Sequence, residues 1–144
     1  MKTIAIITGG NSAEHKISLQ SAKVVKSNLN KQKYNAILVH IKDGLWEVIY
    51  KNKRTEINKK DFSFTFENRN YYFDLAFMAL HGPPAENGII QSYLDKIGLP
   101  YTSCGAKESA LTFDKNKCNE TLKRMGFTCA ISFFYTKGES INTS

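Results

Sequence analysis

Thr3-Ile4-Ala5-Ile6-Ile7-Thr8-Gly9-Gly10-Asn11-Ser12-Ala13-Glu14-His15-Lys16-Ile17-Ser18 is the stretch that decides how this chain is read. Thr3 to Thr8 is short, apolar and rich in β-branched residues, the pattern of a strand covered on both faces. Gly9 and Gly10 then permit a turn that side chains would obstruct. A helix follows, capped by Ser12 or Ser18, with Ala22, Val25 and Leu29 turning one apolar face to the core. The loop therefore falls at the carboxyl end of a strand, the edge at which open α/β sheets bind ligands.

The alternation continues outward from this unit. Asn35 to Ile41 is a second apolar strand, and the helix between the two makes a right-handed βαβ unit. Asp43-Gly44 marks a turn, after which Leu45 to Tyr50 reads as a strand. Phe62, Phe64 and Phe66 alternate with Ser63 and Thr65, and Asn68-Arg69-Asn70 turns into Tyr71-Tyr72-Phe73. Residues 45–73 are thus expected to form a small antiparallel insertion of hairpins, its aromatics packed together. Leu75 to Leu80 is a third core strand, ending in His81-Gly82-Pro83-Pro84-Ala85-Glu86-Asn87-Gly88. The next helix carries Ile90, Leu94 and Ile97 on one face and stops at Gly98. Pro100 to Thr102 is a short strand and Ala106 to Thr112 a short helix. Asp114 caps another helix, in which Cys118, Leu122 and Met125 share a face and Gly126 is the end. Thr128 to Tyr135 reads as a strand, and Lys137 to Ser144 as a polar end. The fold class is α/β, with a mainly parallel sheet of about four strands flanked by helices.

A chain of 144 residues is one domain, or one domain plus part of another, and 42% hydrophobic residues is ordinary for a globular protein. No apolar run is long enough to span a membrane, and the opening run is too short and too quickly ended by glycine to be a signal peptide. Cys104, Cys118 and Cys129 make an odd number without metal spacing, which fits free thiols in a reducing cytoplasm. The formal charge of +7 comes mostly from scattered lysines, with one cluster at Lys51, Lys53, Arg54, Lys59 and Lys60. No nucleic-acid motif accompanies them, so they read as a solvated surface. A basic nucleic-acid-binding protein is the rival, and salt-sensitive binding to DNA would reveal it.

Two loops carry the chemistry, Gly9 to Ser18 and His81 to Gly88, offering Glu14, His15, His81, Glu86 and backbone N–H groups. A carboxylate beside backbone donors can hold the ammonium group of a small zwitterion while the donors take its carboxylate. Glu14 can equally be a first-turn charge serving its own helix. A histidine beside a carboxylate can be an acid–base pair or a hydrogen-bonded core residue. The glycine turn is not G-x-G-x-x-G, and neither G-x-x-x-x-G-K-[ST] nor G-x-S-x-G occurs, so dinucleotide, P-loop and covalent acyl chemistries lack their signatures.

Taken together, Gly9 to Leu19, His81-Gly82 with Glu86-Asn87-Gly88 and Gln91, Gly98-Leu99-Pro100-Tyr101-Thr102, and Ser109-Ala110-Leu111 with Asp114-Lys115 resemble the D-alanine–D-alanine ligases. The resemblance runs from residue 3 to about residue 130, with the motifs in the family's order. It implies an ATP-grasp enzyme that joins two D-alanines with ATP and magnesium, through an acyl phosphate, to make a peptidoglycan precursor. Residues 1–104 would be the N-terminal substrate-binding domain and residues 105–144 the start of the central ATP-grasp domain. Glu14 would take the ammonium group of the first D-alanine and His81 would lie beside it, with Ser18 and Glu86 in support. Lys115 matches a lysine that approaches ATP phosphate, and the family tends to dimerise through this domain. An N-terminal domain of another ATP-grasp carboxylate–amine ligase, binding a different amino acid, is the alternative.

The family usually has Gly-Glu-Asp-Gly where this chain has Ala85-Glu86-Asn87-Gly88. The extra methyl at Ala85 is expected to shift the loop if φ there must be positive, and Asn87 removes a charge. The family is also roughly twice this length, as three small domains require. The chain is therefore expected to be a piece of a longer enzyme, lacking the glycine-rich loop over the phosphates and the magnesium ligands. It would fold through its first hundred or so residues yet catalyse nothing alone. Residues 106–144 would be its least ordered part.

Overall fold

The computed structural model describes residues 1–139. The opening apolar run forms β1 (Lys2–Gly9), which leads through the glycine turn into α1 (His15–Asn28) and back to β2 (Tyr34–Lys42). β1 and β2 are parallel, with Ile4 opposite Ala36 and Thr8 opposite His40. Then come β3 (Leu45–Tyr50), β4 (Lys53–Glu56), β5 (Phe64–Phe66), β6 (Arg69–Tyr71) and β7 (Leu75–Met78). The chain continues through α2 (Ile89–Ile97), β8 (Tyr101–Thr102), α3 (Ala106–Phe113) and α4 (Lys115–Arg124). The main sheet has six strands in the order β4-β3-β2-β1-β7-β8. Its four strands from β2 to β8 are mutually parallel, as the alternating pattern predicts.

β1 is central and buried on both faces, which explains its unbroken apolar run. Ile4 and Ile6 pack under α1 with Ala22, Val25 and Leu29. Ala5 and Ile7 face the other way, into a larger core with Val39, Phe62, Phe64, Ile90 and Leu94. The period of two thus sends alternate residues to separate helical layers.

The expected insertion at 45–73 is only half an insertion. β3 and β4 extend the main sheet as antiparallel strands beyond β2, and β5–β6 alone stands apart as a two-stranded hairpin. Adding β3 pairs the backbone donors and acceptors that β2 would otherwise leave open at an edge. Three two-residue turns make this possible: Asp43-Gly44, Lys51-Asn52 and Glu67-Asn68, all with positive φ at both positions. That is the turn geometry whose twist matches paired strands. The last of them lies just before the expected Asn68-Arg69-Asn70, because Arg69 already belongs to β6.

Three other details differ. Neither Ser12 nor Ser18 caps α1: Glu14 stands at the N-cap without a side-chain bond, and Ser18 lies fully buried inside the helix. Asp114 does cap α4, its Oδ1 accepting from the Lys117 N–H at 3.1 Å. The shared face of α4 is less covered than expected, with Cys118 and Leu122 half-buried and Met125 exposed. Residues 128–135 form no ladder, and Ile131, Phe133 and Phe134 are exposed. A strand persists only where its backbone groups find partners, and no described strand offers them here. Of the expected polar end, residues 140–144 lie outside the described residues.

Phe64 stacks on Tyr71 at 5.0 Å between ring centroids and also meets Tyr50 and Phe73 edge-on or tilted. Phe64→Ala should cost about 3–5 kcal/mol through the cavity it leaves. Urea unfolding measures this, and a loss below about 1 kcal/mol would show that the hairpin is not part of the core.

Candidate active site

The glycine turn is shaped by a close approach. Gly9 and Gly10 have φ of 109° and 92°, and a Cβ on Gly9 would overlap the Ile41 carbonyl oxygen. The same oxygen accepts the Gly10 N–H at 2.7 Å, tying the turn to the end of β2. His15 closes the turn from the helix side, with Nδ1 3.0 Å from the Gly10 carbonyl. A carbonyl only accepts, so Nδ1 donates, and His15 is committed to holding the turn. Its ring meets that of His40 edge-on, with centroids 5.2 Å apart. Burial, then His15 and Arg54, hold His40 below the ordinary histidine value of 6.5.

The second loop is gripped from α1. The His81 N–H donates to Ser18 Oγ at 2.9 Å, and Ser18 in turn donates to the Glu14 carbonyl at 3.2 Å. His81 Nε2 lies 3.0 Å from Ser21 Oγ. Gly82, at φ 74°, passes so close that a Cβ there would sit 2.6 Å from Ser12 Oγ and 3.1 Å from Glu14 Oε2. Glu14, Ser18 and His81 therefore share one place at the carboxyl edge of the sheet, as the two loops were expected to do. The Glu14 side is exposed and Ser18 is buried, so a ligand would meet the carboxylate and the imidazole rather than the hydroxyl.

The other two candidates lie elsewhere. Glu86 and Lys115 line a cavity of about 440 Å³ with Cys104, Ser109, Thr112 and Phe113, and Glu14, Ser18 and His81 are not among its walls. Gln91 joins the two regions. It is buried, and its Nε2 donates to the Ala85 carbonyl at 2.6 Å and reaches Ser109 Oγ at 3.2 Å.

The replaced loop residues fit without strain. Ala85 is not among the residues with positive φ, and its methyl is buried in the larger core, so it does not distort the loop as expected. Asn87 Oδ1 accepts the Ile89 N–H at 3.3 Å, satisfying a donor at the start of α2. Gly88 cannot change in the same way, because a Cβ there would overlap the Ala106 carbonyl.

Sequence reasoning missed Ser12, Ser21 and His40 in this site. Ser21 could have been found, since Ser18, Ser21, Ala22, Val25 and Leu29 lie on one helical stripe. The stripe turns polar where α1 rises past the strands to meet the second loop.

Residues 3–104 match the family described as D-ala D-ala ligase N-terminus. The chain belongs to that family. A D-alanine–D-alanine ligase of Flavobacterium johnsoniae is 45% identical over 145 residues, which takes in 100% of this chain and 45% of that protein. One from Parabacteroides distasonis is also 45% identical, over 97% of this chain and 43% of its own length. The chain thus spans less than half the length of these curated relatives. Among solved structures, D-alanyl-alanine synthetase A of Vibrio cholerae superposes with a TM-score of 0.77 at 29% identity, over 87% of this chain and 38% of that one. The VanG D-Ala:D-Ser ligase of Enterococcus faecalis does so at 0.76 and 29%, over 88% and 43%.

Gly82→Ala combines a left-handed backbone with a clash against Ser12 and Glu14. It should cost about 1–3 kcal/mol in urea unfolding and move the Glu14 and Ser12 amide signals in NMR spectra. A neutral result would mean that the loops are not in contact. His40 sets a pH dependence. Its folded-state value lies below 6.5, so near 6.5 the unfolded chain takes up the proton first. Stability is full above that value and falls as the pH drops through it toward the lower folded-state value. Urea midpoints at about pH 8 and about pH 5 should differ less for His40→Asn than for the parent. An unaltered slope would place the titration elsewhere.

Proposed function

We propose that this chain forms the site for the first D-alanine of a D-alanine–D-alanine ligase. In that reading the whole enzyme is an ATP-grasp ligase that uses ATP to join two D-alanines through an acyl phosphate, for peptidoglycan precursor synthesis. The observation that carries the proposal is the meeting of Glu14, Ser18 and His81 at the sheet's carboxyl edge, in a chain of this family. Glu14 takes the ammonium group of D-alanine, His81 lies beside the substrate, and Ser18 fixes the loop that carries His81. Residues 1–104 are the substrate-binding domain, and the family match over 3–104 supports that boundary. Residues 105–144 open the central domain.

The chemistry explains the division of labour. The D-alanine carboxylate attacks the terminal phosphorus of ATP and ADP departs; the amine of the second D-alanine then displaces phosphate from the acyl carbon. The first step brings two anions together, so positive charge and dipoles must already be in place. Lys115, a compact charge on the wall of the 440 Å³ cavity, serves on the phosphate side; Glu86 lies on the same wall but, as a carboxylate, adds no positive charge there. Among the described residues no three His, Cys, Asp or Glu groups converge as a metal site. These residues therefore do not fit the magnesium that the family implies, and it enters no step here.

Cys104, Cys118 and Cys129 are unbonded, which supports a reducing, cytoplasmic setting. No helix among the described residues is long and apolar enough to cross a membrane. A homodimer is part of the proposal through the family alone. A second reading, a ligase whose acceptor is D-serine, rests on the likeness to the Enterococcus faecalis D-Ala:D-Ser ligase. Phosphate release from ATP by the complete enzyme, with D-alanine alone and with D-serine added, separates the two.

Glu14→Gln keeps the shape and removes the charge. In the complete enzyme it should cost about 1.5–3 kcal/mol in kcat/KM for the first D-alanine, with an unchanged melting temperature. Unchanged kinetics with a lowered melting temperature would reduce Glu14 to a helix charge.

A further inference from the structure

Ser21 lies one turn beyond Ser18 on the same stripe of α1, and the two serines hold different parts of His81. Ser18 takes its backbone N–H. Ser21 faces its ring, with Oγ 3.0 Å from Nε2. The roles of Ser18 are fully assigned, since its hydrogen goes to the Glu14 carbonyl and its oxygen accepts from His81. Ser21 Oγ has no partner among the described residues except Nε2. A half-buried hydroxyl donates where an acceptor is within reach, and among the described residues the one atom placed to take its hydrogen, in the Nδ1–H tautomer, is Nε2.

We infer that Ser21 is a positioning residue that donates to Nε2 of His81 and so fixes the neutral ring as the Nδ1–H tautomer. Nδ1 has no partner among the described residues and becomes a hydrogen-bond donor open to a ligand. The inference rests on the ligase reading for the identity of that ligand. An amino acid held by Glu14 through its ammonium group carries its carboxylate on the same carbon, and Gly82, the residue after His81, packs against the Glu14 carboxylate. A donor at Nδ1 suits that anion. The reverse arrangement, Nε2–H donating to Ser21, would leave the hydroxyl hydrogen no protein acceptor among the described residues and turn a bare nitrogen lone pair toward a carboxylate.

The test begins on the 144-residue chain with nitrogen-15-labelled histidine, at about pH 8, where an ordinary imidazole is neutral. Long-range nitrogen–carbon-proton correlations should show His81 as Nδ1–H. Ser21→Ala should move it toward the Nε2–H form that free histidine favours, with the amide spectrum otherwise retained, and Ser21→Thr should restore Nδ1–H. An Nε2–H ring in the parent chain overturns the proposal, whether or not the alanine variant folds. So does a ring unmoved by Ser21→Ala. In the complete enzyme Ser21→Ala should raise KM for the first D-alanine about tenfold while Ser21→Thr stays near the parent value. An unchanged KM beside the expected tautomer would overturn the positioning role. Failure of the parent enzyme to use D-alanine at all would instead sink the ligase reading, and the tautomer would still decide the Ser21 bond.

Discussion

The close approach of Gly9 to the Ile41 carbonyl sets the geometry of everything above the sheet. A side chain at Gly9 would push β1 and β2 apart at their carboxyl ends. With none there, the chain folds over β2 at once, and the Gly10 N–H closes on the same oxygen. The turn is then short enough for α1 to start at His15 and lie directly over Ile4 and Ile6. Glu14 is carried to the mouth of the site by this turn rather than by any bond of its own side chain. The site is thus a consequence of backbone contact between two parallel strands, and the apolar layer under α1 keeps it there.

The same distinction separates what the sequence made legible from what it did not. The parallel core could be read because β1, β2 and β7 each hold a compact apolar run and each leads into a loop with glycine. Asp43-Gly44 announced its hairpin, since both residue types tolerate a left-handed backbone. Lys51-Asn52 and Glu67-Asn68 adopt the same geometry, but Lys and Glu carry no such signal, so the sequence pattern sets the turn at 67–68 one residue late and does not mark β4. Whether β3 joined the main sheet was a question of edge pairing, which local pattern does not encode. Residues 128–135 were the opposite error. Their composition is that of a strand, and composition cannot supply the neighbour that a strand needs.

That the loops carrying Glu14 and His81 meet was legible from their positions after strand ends, whereas the bonds that hold the loops together were not. Ser18 had two readings, helix cap or family residue, and the structure gives it a different part: it is a hydroxyl in the first turn of α1 that holds the backbone of the facing loop. Such a residue looks unfavourable to its own helix, because serine competes for backbone bonds, and its reason lies in the other segment. Ala85 shows the same limit from the other side. A methyl where the family has glycine looked like a threat to the loop, but φ at that position is not positive and the methyl fills core space. Only Gly82 and Gly88 in that loop meet contacts that exclude a side chain.

Gln91 ties two separate surfaces of the molecule together. Its Nε2 must face the Ala85 carbonyl, because a flipped amide would set oxygen against oxygen, so its orientation is fixed. From there it reaches Ser103 and Ser109, and Ser109 lines the cavity that holds Lys115. Gly88 adds a second tie by packing on the Ala106 carbonyl at the start of α3. The second loop is therefore held at both ends, to α1 through His81 and Gly82, and to α3 through Ala85 and Gly88. Breaking these bonds would leave the Nε2 donors unpaired in the core, where the Oε1 of the same amide already lacks a partner among the described residues. A displacement of the second loop would accordingly be passed to α3, and through α3 to the wall that carries Lys115.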